Sequence, residues 1–134
     1  MGRPESGDDK TQIRVPSQSV EKIPARLQAS VVIVEGYAPG MEYPLTKAYS
    51  VIGRDADVEV PLKDAMVSRR HVAIVYHDGE FMLKDLESTN GTQMKGALIQ
   101  QATLHHRDKF QIGDTTLQFI LVDSGVGPTY EIGG

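Results

Sequence analysis

The chain contains no cysteine. That excludes a disulfide framework and any thiolate-held metal, and it fits a reducing compartment. No apolar run is long enough for a membrane-spanning helix, so no membrane association is expected. An apolar export segment is missing near Met1, so a cytoplasmic setting is expected. Excess positive charge is missing too: the net charge is −4, which argues against binding nucleic acid by general attraction to its phosphates. Any basic site must be local. Motifs for chemistry are equally scarce. There is no Gly-x-Ser-x-Gly elbow around a nucleophile. The stretch from Gly91 to Gly96 starts like a nucleotide-binding loop, but Ala97 and Leu98 stand where lysine and a hydroxyl residue are required. His105 and His106 are adjacent, and neighbours on a strand face opposite ways, which makes a poor metal clamp. No enzyme activity, cofactor or metal is expected.

What the chain has is turn chemistry and short apolar stretches. Residues 1–29 hold three of the seven prolines and no sustained hydrophobic period, and read as a flexible tail. From Ala29 to Val34 an apolar run of strand length begins the folded part. Strand-like stretches then recur every eight to twelve residues as far as Asp123. Val72, Ile74 and Tyr76 share one face, Phe81, Leu83 and Asp85 another, and Leu117, Phe119 and Leu121 a third. Asp78-Gly79, Asn90-Gly91 and Gly113-Asp114 supply turns between them. No helical stripe lasts three turns after residue 30. The pattern predicts an all-β sandwich of about ten or eleven short strands over residues 30–123, followed by a flexible tail at 124–134.

Three motifs stand in order: Gly53-Arg54, then Ser68-Arg69-Arg70-His71, then Ser88-Thr89-Asn90-Gly91. Each falls where a strand gives way to a turn. Together they carry arginine forks, small hydroxyls and an amide, and guanidinium matches phosphate geometry while hydroxyls fill the remaining lone pairs. Lys84 and Lys95 are further candidate cations.

In order and approximate spacing this set resembles the forkhead-associated (FHA) domain, as do Gly96 and the closing Phe110-x-Ile112-Gly113-Asp114. The resemblance covers roughly residues 30–123. It implies a β-sandwich whose loops at one end recognise phosphothreonine peptides. By that resemblance Arg54 binds the phosphate, with Ser68 and Thr89 adding hydroxyls and Arg69 meeting phosphate or peptide. Asn90 bonds the bound peptide's main chain, and His71 braces the loops from beneath.

Plainer readings stand beside these. Arg54 can be a surface arginine in a turn, Ser68 can bond its own backbone, and Asn90-Gly91 can be a simple type I′ turn. Arg70 is as well suited to solvent as to ligand. Gly53 and Gly91 serve the backbone, Gly53 through a conformation that a β-carbon disfavours. Ahead of Ser68, Met66 suggests an apolar or indifferent preference in the bound peptide.

The resemblance implies phosphothreonine-containing proteins as partners and a Ser/Thr protein kinase upstream. It also singles out Thr11, flanked by Asp8, Asp9 and Ile13, as a candidate phosphorylation site whose modified form would occupy the chain's own binding site. The alternatives are an incidental tail threonine, and for the whole chain a scaffold that binds unphosphorylated surfaces through its sandwich faces.

Overall fold

The computed structural model describes residues 21–125, so Thr11 lies outside the described residues. Eleven strands form among those residues: β1 (Leu27–Glu35), β2 (Glu42–Leu45), β3 (Tyr49–Gly53), β4 (Val60–Pro61), β5 (Val72–His77), β6 (Glu80–Asp85), β7 (Thr92–Met94), β8 (Ala97–Ile99), β9 (Gln101–Leu104), β10 (Lys109–Ile112) and β11 (Thr115–Asp123). They build a five-stranded sheet in the order β9-β6-β5-β3-β4 and a six-stranded sheet in the order β2-β1-β11-β10-β7-β8. Neighbours pair antiparallel except β3 and β4, which run parallel.

Alternation places the core as the sequence predicts. Val72, Ile74 and Tyr76 of β5 and Phe81 and Leu83 of β6 face Val31, Ile33, Phe110, Leu117 and Phe119 of the other sheet, all buried. Phe81 joins the layers, with its ring 4.9 Å from Tyr76 and 5.2 Å from Phe119. Contacts of this kind contribute about 0.5–1.5 kcal/mol each beyond area burial. Local chemistry closes the hairpins. Asp78 and Gly79 adopt φ of 52° and 83°, and Lys95 and Gly96 adopt 53° and 80°, the left-handed pairs that a type I′ turn needs.

The strand boundaries depart from the sequence reading at two places. The first strand opens at Leu27, so the expected boundary between residues 29 and 30 falls inside it. Backbone pairing with β11 continues through Val122↔Gln28 and Asp123↔Leu27, and Leu27, in alternation with Ala29 and Val31, packs against the core. Glu42–Leu45 also forms a strand that the sequence did not reveal. Pro44 disguises it, and proline is admissible there because β2 is the edge of its sheet.

The antiparallel pairing sends β5 from Val72 at one end of the sandwich to His77 at the other. Arg54 follows β3, Ser68 to His71 precede β5, and Ser88 to Gly91 precede β7. All three motifs therefore meet at one end.

Candidate functional site

Backbone contact comes first. The Arg54 N–H donates to the Ser68 carbonyl at 3.0 Å and the Asp55 N–H to the Arg69 carbonyl at 3.1 Å, so the first two loops run side by side. Gly53 permits this approach. A β-carbon there would lie 2.0 Å from the Arg69 carbonyl oxygen and 2.9 Å from the Arg70 Cα. The residue does not adopt a positive φ. The expectation of a special conformation is thus corrected: glycine is required by the close approach of a second backbone.

His71 joins the second loop to the third. It is 0% exposed, its Nδ1 accepts the Ser68 N–H at 3.0 Å, and its Nε2 lies 2.8 Å from the Gly91 carbonyl. A backbone N–H can only donate and a carbonyl can only accept, so the hydrogen sits on Nε2. With both nitrogens engaged and no solvent access, this histidine braces the loops. Its bond to Ser68 is to the backbone N–H and not to the hydroxyl, so the two do not form a serine–histidine pair in this arrangement. That hydroxyl instead accepts the Thr89 N–H at 3.0 Å, drawing the third loop against the second. Its own hydrogen remains available to a ligand.

The Asn90 side chain donates from Nδ2 to the Met66 carbonyl at 2.8 Å, leaving its amide oxygen to accept from outside. Gly91 takes φ of 86° but Asn90 does not adopt a positive φ, so the pair is not a type I′ turn. Ser88 closes the loop: its Oγ accepts the Gly91 N–H at 3.0 Å and donates to Asp85 at 2.6 Å.

The arginines are presented by this frame. Arg54 is exposed, and its Nε donates to the Val67 carbonyl at 2.9 Å, which aims the fork while leaving its terminal nitrogens open. Arg69 and Arg70 are also exposed, and among the described residues none of the three arginines is paired with a carboxylate. Lys84 lies along β6 and Lys95 at the tip of the β7–β8 turn, so neither belongs to these loops.

Two aspartates hold the assembly from below. Asp64, 8% exposed, accepts the Met66 N–H at 2.9 Å through Oδ1, and the Asp114 N–H and Thr115 hydroxyl at 2.8 Å each through Oδ2. It thereby ties the loop carrying Met66 and Ser68 to the β10–β11 turn. Asp85 accepts the Ser88 N–H at 3.0 Å and the Ser88 and Thr92 hydroxyls at 2.6 and 2.7 Å. Burial pushes both carboxyls up, but these hydrogen bonds outweigh it and hold both below the ordinary aspartate value. Sequence reasoning assigned neither a role. Asp85 was legible in part, because alternation from Phe81 and Leu83 puts it on the inner face. Asp64 gave no signal, since its partners at Asp114 and Thr115 lie fifty residues away.

Comparison with known proteins finds the same architecture elsewhere. The FHA domain family model matches residues 50–113. The glycogen accumulation regulator GarA of Mycolicibacterium smegmatis is 34% identical over 101 residues, covering 75% of this chain and 63% of that protein. The chain thus spans about three fifths of the length of the GarA proteins it matches, and about a quarter or less of FhaA and EmbR of Mycobacterium tuberculosis. A solved FHA domain described for phosphothreonine-dependent interactions is 30% identical, covers 69% of this chain and 95% of its own, and superposes with a TM-score of 0.64. Mycobacterium tuberculosis EmbR, solved with a low-affinity phosphopeptide, is 32% identical with a TM-score of 0.65, over 71% of this chain and 24% of its own.

Proposed function

The chain belongs to the forkhead-associated (FHA) domain family, and from that premise we propose that its loop cluster binds phosphothreonine-containing segments of partner proteins, as an adaptor or regulator under a Ser/Thr protein kinase. One observation carries the reading. Arg54 presents an exposed guanidinium with no carboxylate partner among the described residues, oriented by the Val67 carbonyl, in the loop cluster that also carries the Ser68 hydroxyl and Thr89. Such a set offers a dianion several charge-assisted donors at once, each worth about 1.5–3 kcal/mol. In the proposed complex Arg69 meets phosphate or peptide, and Asn90 uses its free amide oxygen to accept a peptide N–H. The protein acts by binding and catalyses nothing, in keeping with a buried His71 whose two nitrogens are both engaged.

A finer part of the reading concerns the chain's own tail. Phosphorylated Thr11 would compete for the same site in cis. The described residues alter the geometry of this tether. Glu21 bonds the Asp78 N–H at 2.8 Å and lies 3.0 Å from His77 Nδ1, at the end of the sandwich opposite the loops. The span from Glu21 to Thr11 is ten residues, against sixteen from the first strand at Leu27. Ten residues reach at most about 35 Å, while the six residues of β5 cover about 17 Å at ~3.3 Å per step. The length of chain therefore does not forbid occupation in cis.

Calorimetric titration with phosphothreonine peptides tests the main reading. Wild type should bind at roughly micromolar strength, about −8 kcal/mol, and Arg54→Ala should lose most of that while melting normally. Undiminished binding by Arg54→Ala would instead favour a phosphate-independent scaffold working through the sandwich faces. For the tail, the kinase-treated protein should carry phosphate on Thr11 and bind external peptide less well; normal binding would remove the switch.

A further inference from the structure

The outer face of the five-stranded sheet carries an apolar row. By register Tyr49 of β3 lies beside Val75 of β5, Val75 beside Met82 of β6, and Met82 beside Thr103 of β9. Alternation turns all four away from the core, because Ile74, Tyr76, Phe81 and Leu83 next to them face inward. Tyr49 is 50% exposed and the other three are half-buried. The Thr103 hydroxyl donates to the Met82 sulfur at 3.5 Å, so even the polar member is partnered within the row. Single apolar residues on a surface are ordinary, whereas a contiguous set is the kind of feature that marks a contact surface.

The chain itself enters the fold at the margin of this row. His77 shares the outer face with Val75, two residues further along β5. The Glu21 carboxylate accepts the Asp78 N–H at 2.8 Å and lies 3.0 Å from His77 Nδ1. Ile23 then packs against the core, which fixes the entry point at this corner. Val20 is the next residue back and belongs to the part of the chain outside the described residues. Between Gln12 and Val20 that part has three aliphatic side chains, Ile13, Val15 and Val20, and a single charge, on Arg14. It has apolar surface to bury and little charge to strip of water. Pro16 has no N–H to give to a neighbouring strand, which disfavours adding this segment to a sheet edge.

We infer that the outer face of the five-stranded sheet is the docking surface for the chain's own residues 12–20. Val20 packs on Val75 and Met82, beside the point where Glu21 is held. Val15 lies five residues back, up to about 17 Å away in an extended chain, and Tyr49 is two strand spacings from Met82, about 10 Å. Both valines can therefore rest on the row at once. Arg54 follows β3, so a tail laid toward Tyr49 leads on to the loop cluster. A few aliphatic side chains make a weak contact between separate molecules. Here the short tether makes the contact intramolecular, with an effective concentration on the order of millimolar. No phosphate takes part, and the docking is independent of any occupation of the loops by phosphorylated Thr11.

The lack of cysteine allows a single nitroxide label, attached through Ser17→Cys on the full, unphosphorylated chain. In the amide NMR spectrum Tyr49, Val75, Met82 and Thr103 should lose most of their intensity to the nearby radical. Val32 and Ile120, on the outer face of the other sheet, should keep theirs. Val15→Asp together with Val20→Asp changes only the tail and should restore the signals of the row. Tyr49→Lys, at a half-exposed position, should act the same way from the other side of the contact. Equal loss on both faces, or loss that survives the double substitution in the tail, overturns the docking. Loss that appears on isotope-enriched, unlabelled chain mixed with labelled chain overturns it as well, and assigns the row to a second copy. Phosphopeptide binding by the loops stands under each of these outcomes, because the readout involves no phosphate.

Discussion

The two ends of the sandwich are built by different means. At the far end the turns rest on their own residues and on exposed contacts: Asp78-Gly79 closes a two-residue hairpin, Asp108 caps the His105 N–H three residues away, and Glu21 reaches the Asp78 N–H at the surface. At the site end, side chains reach across between loops distant in sequence. His71 spans to Gly91, Asp64 to Thr115 and Ser68 to Thr89, and the first two are buried. A loop that only needs to turn can be specified by its own two residues. Loops that must present an arginine, two hydroxyls and an amide in fixed relation need a shared foundation, because each would otherwise lose ordering entropy when ligand arrives.

If this contrast is real, the largest loss should come from Asp64→Ala. Two backbone N–H groups and the buried Thr115 hydroxyl lose their acceptor together. Stability should fall by about 2–4 kcal/mol, with phosphopeptide binding weakened as well, although Asp64 touches no ligand. Denaturant melts and titration read both. A variant as stable as wild type would mean that the site end needs no foundation.

His71→Ala comes next. It removes one acceptor and one donor from the junction of two loops, and should cost about 1–3 kcal/mol of stability together with binding. Binding lost at unchanged stability would place His71 in contact with the ligand instead.

Acid unfolding sharpens the comparison without a truncation. Asp64 and Asp85 have folded-state values lowered from 3.8, so each contributes stability that is complete above that value and is lost as pH falls through the lower folded value. Asp85→Asn should flatten the dependence of stability on pH below about 4. An acid limb identical to wild type would show that Asp85 is not tied down as its three hydrogen bonds require.

The same contrast explains what the sequence could show. Turns specified locally were legible, Asp78-Gly79 among them, and so were the motif residues Arg54, Ser68, Thr89 and Asn90, which the fold does bring to one end. Foundations were not. Asp64 sits beside Ala65 and Met66 like any loop acid, and its meaning lies in Asp114 and Thr115. Gly53 was marked, but its reason, a second backbone 2.0 Å from where a β-carbon would be, belongs to tertiary contact. Edge strand β2 hid behind Pro44, because local propensity does not say which strand will be an edge.

The smallest effect should come from the far end. Glu21 makes two bonds there, to the Asp78 N–H and toward His77, whose side chain is 68% exposed. Water replaces such contacts readily, so Glu21→Ala should cost less than about 0.5 kcal/mol. In a domain of this size that is a shift of about 2–4 °C at most in the melting temperature. Binding of a separate phosphopeptide should not change, since no site residue depends on Glu21. The variant does alter the tether: the next fixed backbone contact is Leu27 N–H to the Pro24 carbonyl, and the span from Thr11 grows from ten residues to thirteen at Pro24. Effective concentration varies only slowly with length once a linker can reach. Exclusion of external peptide by phosphorylated Thr11 should therefore shift by less than about threefold. A loss of stability as large as that of Asp64→Ala would erase the difference between the two ends.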